Sequence, residues 1–520
     1  MKKWICAVVS LWYGSVSWGQ AGVLDPSFGT GGKVVTEFTD SYFPESNLMV
    51  LLPDGKIVVL YGAFNPDNGE VKTQLIRYHA DGSPDNGFGT AGIVNVVFPA
   101  DLRPADMALA ADGKFILALQ PYNIVATADF VLARLNADGS PDASFGTGGI
   151  VSTDFINRSD FVNSVKIQAD GKIVAGGYSA DWNATLADFA AARYNADGSL
   201  DQSFGTGGRQ RITFSSLYKY NSVSVVEILP DGKIMLVGKA LTPAASSFTL
   251  VRLSANGALD ASFASGGIAI SSISSTDTYI STAALQPDGR ILAAGTLNNV
   301  NTFVLVRFMS DGTVDNTFGP HAMAQNDISL PSVRPTKIAL QSDGKIVTVG
   351  VAGYPGNGFV VIRHTPQGML DAGFGSQGFM NIQMADSNSG AWSVAVQPDQ
   401  KILVSGPAVK AGKRTQAMVR LLPGGLGIPE TGGPAAGVLV FPNPAEKELA
   451  LSYTLGSAEK LSIDLLDATG KKRASYLNGA FRPPGEYQMP LELPSDLAAG
   501  VYYIVLSSPG GKSAVSFIKR

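Results

Sequence analysis

Chemistry needs reactive side chains at workable spacings, and this 520-residue chain offers few. Its three histidines, His79, His321 and His364, form no zinc-binding pair and no Ser-His-Asp set, which leaves zinc-assisted and serine-type hydrolysis without residues. The stretch Gly29-Thr30-Gly31-Gly32 suggests a phosphate cradle, but a strand follows it, and a cradle needs the amides of a helix N-terminus. Asn195-Ala196-Asp197-Gly198-Ser199-Leu200-Asp201 carries oxygen ligands at a calcium-loop spacing. Equivalent stretches elsewhere put His79, Ser254, Met309 or Thr365 at its first position, and methionine is no ligand for a hard cation, so the stretch reads as a turn. No catalytic residue, metal ligand or cofactor emerges. Carboxylates remain, Asp101, Asp160 and Asp277 among them, as a pair-type acid and base for a polysaccharide-acting enzyme.

These residues stand on a repeating frame. A Phe-Gly landmark falls at Phe28, Phe88, Phe145, Phe204, Phe263, Phe318 and Phe374, at intervals of 55 to 60 residues, with Phe318 in the most degenerate copy. In the third copy, Val162–Gln168 reads as a strand, Asp170-Gly171 as a type I′ hairpin, and Lys172–Gly177 as a second strand, a nearly continuous apolar run. Asp188–Tyr194 is a third strand, a turn at Asp197-Gly198 follows, and a fourth strand begins after Gly207-Gly208. An arginine recurs on the third strand (Arg77, Arg134, Arg193, Arg252, Arg307, Arg363, Arg420), and an aspartate three residues before each landmark is placed to pair with it.

Four short antiparallel strands per repeat describe a β-propeller blade. The first glycine-led strand, Gly32 to Phe38, has no three strands before it, and the last repeat lacks a fourth. The fold expected is therefore all-β: a seven-bladed β-propeller closed by its N-terminal strand, which removes both free sheet edges. In such a ring the loops after the second and fourth strands share one face. They are variable and carry Tyr42, Phe43, Tyr122, Phe161, Trp182, Tyr218, Tyr220, Tyr279 and Tyr354, the candidate ligand-binding residues.

The ends of the chain have a different texture. Lys2 and Lys3 followed by the apolar run to Val16 read as a signal peptide over residues 1–19, with cleavage before Gln20. That segment holds the only cysteine, Cys6, so the mature chain has no thiol. No later run is long enough for a transmembrane anchor. A net charge of −4 with no basic tract excludes a nucleic-acid partner. Residues 20–422 hold the repeats, and the Gly/Pro-rich stretch 423–437 reads as a linker. Alternating short strands over 438–520 suggest a small Ig-like β-sandwich.

The Leu-Asp-x-x-Phe-Gly, Pro-Asp-Gly-Lys and Arg-Tyr-x-Ala-Asp-Gly signatures resemble the delta-60 repeat family of bacterial surface and secreted propellers. Phe441-Pro442-Asn443-Pro444, Leu465-Leu466-Asp467-Ala468-Thr469-Gly470-Lys471, Leu497-Ala498-Ala499-Gly500-Val501-Tyr502-Tyr503 and the basic end Lys519-Arg520 are similar to the type A C-terminal sorting domain of the type IX secretion system. The second resemblance implies handling by that secretion machinery through residues 438–520. It also implies delivery through the periplasm to the outer surface or the medium. The function expected is a non-enzymatic scaffold for a glycan or protein ligand; the alternatives are the polysaccharide-acting enzyme above and a purely structural surface component.

Overall fold

The computed structural model describes residues 21–519 apart from 39–41, 66, 99–100, 122–127, 156–157, 182–185, 215–217, 243–245, 272–277, 298–301, 321–322, 326–329, 331, 354–357, 385–387, 424–434, 442–444, 468–470, 499 and 510. The described residues contain no α-helix. The chain divides into a compact unit over Ala21–Leu422 and a second one within Pro423–Arg520.

In the first unit every recurrent arginine lies on the third strand of a four-stranded antiparallel meander. The first meander runs Phe43–Leu51, Ile57–Phe64, Val71–Tyr78 and Ile93–Val96, paired in chain order. The pattern repeats along the chain, and the third and fourth sheets are bridged by a single parallel pair, Ala187↔Tyr220. In the degenerate sixth copy the outer strand shrinks to Met323–Gln325. The last sheet joins Ser393–Val396, Ile402–Lys410 and Lys413–Leu421 to Lys33–Glu37, with Lys33 opposite Val419 and Glu37 opposite Thr415. Second strands are buried on both faces: Ile57, Val58, Val59 and Leu60 expose nothing. Each is covered by a neighbouring sheet on either side, which accounts for its unbroken apolar pattern.

The Asp-Gly hairpins differ from the expected type I′ turn. At the third copy, Gln168 accepts from the Gly171 amide at 2.9 Å and donates to the Lys172 carbonyl at 2.8 Å. This is a three-residue loop in which Gly171 alone is left-handed, at φ 85°. The Asp170 carboxylate explains why the aspartate need not follow: its Oδ1 accepts the Lys172 amide at 3.1 Å.

Neighbouring repeats are clamped by one device. Arg193 Nε donates to Asp201 Oδ2 at 2.8 Å, its guanidinium lies 4.8 Å from the Phe204 ring centroid, and its NH1 donates to the Ala255 carbonyl of the next repeat. The other six arginines form the same carboxylate pair at 2.7–2.8 Å. The landmark phenylalanine fills the space beneath the following repeat's turn. A Cβ on Gly82, held at φ 85°, would come within 2.8 Å of the Phe28 ring. The clamp is buried, with Arg193 5% and Asp201 6% exposed. Burial opposes ionisation of Asp201, yet hydrogen bonds from Ser203 and Lys172 and the Arg193 charge hold its carboxyl well below the usual carboxylate range. Replacing Arg193 with alanine leaves Asp201 only Ser203 and the partly exposed Lys172, so a loss of about 1.5–3 kcal/mol is expected, the size of a hydrogen bond to a charged group. Denaturant unfolding checks it; an unchanged midpoint would remove the pair from the account of stability.

The C-terminal unit has a three-stranded sheet (Ala435–Phe441, Glu448–Leu455, Gly485–Glu492) and a four-stranded one (Lys472–Arg482, Glu459–Asp467, Gly500–Ser508, Gly511–Lys519). Leu449, Leu451 and Tyr453 from the first share an apolar core with Leu461, Ile463, Ile504 and Leu506 from the second. Two sheets around one core make a β-sandwich.

Candidate functional site

First strands of successive sheets pack side by side, and Phe43–Leu51 packs against both Leu102–Leu109 and Ser393–Val396. They surround an axial space whose wider part is a cavity of about 580 Å³, lined from several sheets by Glu45, Arg103, Asn163, Ser281, Arg334 and Trp392. A recurrent β-bulge sets this lining. Between Pro44 and Ser46, Pro104 and Asp106, Val162 and Ser164, Val223 and Val225, Ile280 and Thr282, and Pro335 and Lys337, the first strand carries one extra residue. A bulge re-aims the residue it inserts. Asn163 and Ser224, inserted in this way, donate to the next first strand at Val223 O (2.6 Å) and Ile280 O (3.1 Å), and Thr336 donates to Ala391 O (2.8 Å), just before the next one.

The cavity is polar and carries both signs of charge. Arg103 lies 3.4 Å from Glu45 and donates to Gln120 at 3.3 Å, and Gln120 donates in turn to Asn163 at 2.7 Å. Deeper, Asp106 accepts from Ser164 Oγ and the Val165 amide, both at 3.0 Å, with Lys337 at 3.7 Å. Lys166 stands 3.5 Å from Glu227, whose carboxyl burial pushes up while Lys166 and Lys337 pull it down.

An aromatic row borders the axial space. Phe161 stacks on Tyr178 (centroids 5.0 Å apart, planes at 20°), and Tyr178 meets Tyr220 at 5.7 Å. The Lys239 ammonium lies over both Tyr220 (5.8 Å) and Tyr279 (5.1 Å). Burial, then the Tyr220 hydroxyl, pushes the Tyr178 phenol up, and Arg103 is close enough to pull it back. Asn163 and Ser281, two residues after Phe161 and Tyr279 on the same strands, line the cavity itself.

The sequence-derived aromatics are only partly loop residues. Phe43, Phe161, Tyr220 and Tyr279 sit near the starts of first strands rather than in the preceding loops. Phe161 is 7% exposed and serves as the inner end of the row, whereas Tyr279 is 37% and Phe43 44% exposed. Phe43 lies under the Arg414 guanidinium (4.4 Å), Tyr42 under Lys72 (5.4 Å), and Tyr218 packs edge-on against Phe214 (6.2 Å), so these three stand apart from the row. Tyr122, Trp182 and Tyr354 lie outside the described residues, as do Asp277 and His321. Of the two remaining carboxylate candidates, Asp101 is exposed and Asp160 has no exposed surface, which removes Asp160 from reach of a polymer. His364 is fully buried, and desolvation holds its pKa down to about 3. Tyr178 and Lys239 escaped the sequence reading because both lie on second strands, where the pattern signals core.

Six stretches, 52–88, 110–145, 168–204, 229–263, 286–318 and 341–374, match the family described as domain of unknown function (DUF5122) beta-propeller. The chain carries a DUF5122 β-propeller repeat domain. Each DUF5122 match starts beside an Asp-Gly hairpin and ends on a landmark phenylalanine, so the matched unit spans second strand, arginine strand and clamp. Residues 439–520 match the secretion system C-terminal sorting domain, which marks proteins exported by type IX secretion to the cell surface or the extracellular space. No curated protein sequence matches the chain.

Among solved structures, the chain is similar to PorZ, a surface component of the type-IX secretion system of Porphyromonas gingivalis, at 11% identity and a TM-score of 0.35, covering 91% of this chain and 74% of that one. It is similar to a protein of unknown function from Dyadobacter fermentans (13%, TM-score 0.40, 76% and 99% covered) and to the polysaccharide lyase Uly1 (11%, TM-score 0.42, 77% and 97% covered). Scores this low carry no argument about function.

Proposed function

We propose that the protein is a non-enzymatic binding scaffold of the cell surface or medium, and that it takes a glycan along the Phe161–Tyr178–Tyr220–Tyr279 row at the mouth of the axial cavity. The observation that carries this reading is the row itself. Successive rings rise in exposure from a buried phenylalanine to an open tyrosine, on strands whose next residues but one, Asn163 and Ser281, line a polar, charged hollow. Aromatic faces take the apolar faces of pyranose rings, while tyrosine hydroxyls and the neighbouring arginine and amides are suited to sugar hydroxyls. The scaffold in this reading is a seven-bladed ring of delta-60-type repeats over 20–422, closed by its N-terminal strand. Support comes from the pairing of Lys33–Glu37 with Lys413–Leu421 and from the Arg420–Asp25 clamp. A signal peptide over 1–19, a linker over 423–437 and the sorting domain over 438–520 complete the assignment.

A glycan panel scored for both binding and product release tests the proposal. Binding without turnover is expected, weakened at least about tenfold in Tyr220→Ala and Tyr279→Ala, the size of a modest interface hot spot. Product release would replace the scaffold with an enzyme. Silence across the panel, with capture of a protein ligand through the same tyrosines, would replace the glycan.

A further inference from the structure

A corner of the second and third sheets holds a group of carboxylates that the binding reading does not use. Asp129 precedes the strand Phe130–Leu135, Asp154 follows the strand Ile150–Thr153, and Asp160 lies in the strand Ser159–Ile167. One ligand oxygen from each lies within 4.8 Å of the other two. Oxygens bound to one calcium ion at 2.3–2.6 Å stand at about this separation or closer. Their exposure is graded, with Asp160 buried, Asp129 half-buried and Asp154 open, so an ion could enter from solvent.

Asp160 gives the independent sign of a missing partner. It has no exposed surface; its Oδ2 accepts the Phe155 amide at 2.7 Å, and its Oδ1 has no hydrogen-bond partner. Opposite it in the strand register stands Ser179, also without exposed surface, whose Oγ is likewise unsatisfied. That hydroxyl is near enough to help hold down the Asp160 pKa but lies outside hydrogen-bonding geometry. A buried carboxylate oxygen with no donor is costly. The nearby cations are turned elsewhere: Arg158 and Arg211 face Asp188 at 3.9 and 3.6 Å, and Arg209 spends its hydrogen bond on the Asp154 backbone carbonyl.

We propose that Asp129, Asp154 and Asp160 bind one calcium ion, which ties the loop after the second sheet's outer strand to the start of the third sheet's first strand. Carboxylate oxygens alone, with an open side left for water, suit a hard cation of flexible coordination. The role is structural. The ion joins two sheets at the end of the first strand that carries Phe161, and so steadies the inner end of the aromatic row. The three positions are 25 and 6 residues apart in the chain, a spacing that matches no calcium loop.

Calorimetric titration of the calcium-stripped full chain with calcium chloride is expected to show one ion per chain, with a Kd of about 10⁻⁴–10⁻³ M, the range of extracellular calcium modules. Millimolar calcium is expected to raise the thermal midpoint by about 2–5 °C. Asp160→Asn keeps an acceptor for the Phe155 amide and is expected to abolish both signals. Asp154→Asn removes one ligand at the exposed edge of the site and is expected to weaken binding at least tenfold in a chain that still folds without calcium, which keeps the test valid should Asp160→Asn fold poorly. No calcium heat in the wild type, or the same affinity in Asp154→Asn, would overturn the site.

Discussion

A chain lacking residues 20–37 is expected to lose its cooperative thermal transition and to aggregate. That segment supplies what the last repeat does not encode locally. Asp25 pairs with Arg420 at 2.8 Å and Lys401 at 3.2 Å, although 395 residues separate it from the arginine. Phe28 is fully buried, and the Gly29 amide donates to the Asp81 carbonyl at 2.8 Å. Ala21 accepts from the Gly375 amide, and Gly22 donates to the Leu422 carbonyl, both within 3.0 Å. Thr36 and Tyr78 share a hydroxyl hydrogen bond of 2.6 Å, which joins the segment to the first sheet. Stranding the buried Arg420 costs about 3–5 kcal/mol. Losing the Phe28 side chain costs a similar amount, about 3–5 kcal/mol. Together these approach the whole stability of a typical domain, before the newly bared edge of Lys413–Leu421 is considered. Calorimetry and light scattering on the truncated chain read the outcome. A transition at the wild-type midpoint would show that the N-terminal strand is an accessory to the ring. The single substitution Asp25→Asn should move the midpoint in the same direction by a smaller amount, because Phe28 and the strand pairing stay in place.

Removal of residues 438–520 should leave a folded protein on the wrong side of the outer membrane. The repeat unit keeps its own apolar clusters, such as the one around Val347, Val361, Phe374 and Val404, without any residue of the sandwich. Folding of Ala21–Leu422 is therefore expected to survive the truncation, and accumulation in the periplasm is the expected phenotype. Cell fractionation with antibody to the repeat unit checks it, and ordinary delivery of the truncated chain to the surface would refute dependence on the tail. Fusion of 438–520 to a periplasmic reporter should move the reporter outward, which separates a sorting role from a mere loss of stability.

The repeats were legible because each one restates its own local rules. Arg193 and Asp201 are eight residues apart, and the turn between them is closed by Asp197, whose Oδ1 accepts the Ser199 amide at 2.9 Å. An interaction made at a fixed short offset leaves a periodic mark, and the unbroken apolar run Ile173–Gly177 likewise announced a strand covered on both faces. The hairpin type was misread because a dipeptide does not show which carbonyl its neighbours will reach. In the structure Gln168 closes a longer loop, and Asp170 supports it from its side chain.

The candidate site was legible only in part. Tyr220 and Tyr279 stood out as aromatics at the edges of variable segments, but Tyr178 and Lys239 lie in second strands and share the apolar context of the core. Nothing at short range tells Phe161 that Tyr178 will stack on it, or Tyr178 that Tyr220 will follow from the next sheet.

By itself, the sequence determined the meanders, the arginine–aspartate clamp in six of its seven occurrences, the apolar layering and the presence of a sorting tail. All of these rest on contacts between residues close in the chain or on a pattern stated many times. The tertiary structure decided the rest. It brought Asp25 to Arg420, lined up four rings from three sheets, and gathered Asp129, Asp154 and Asp160 at one corner. The last two depend on how one twisted sheet stacks on the next, a long-range packing outcome for which no local pattern exists, and the first on the pairing of Lys33–Glu37 with Lys413–Leu421 across the length of the unit.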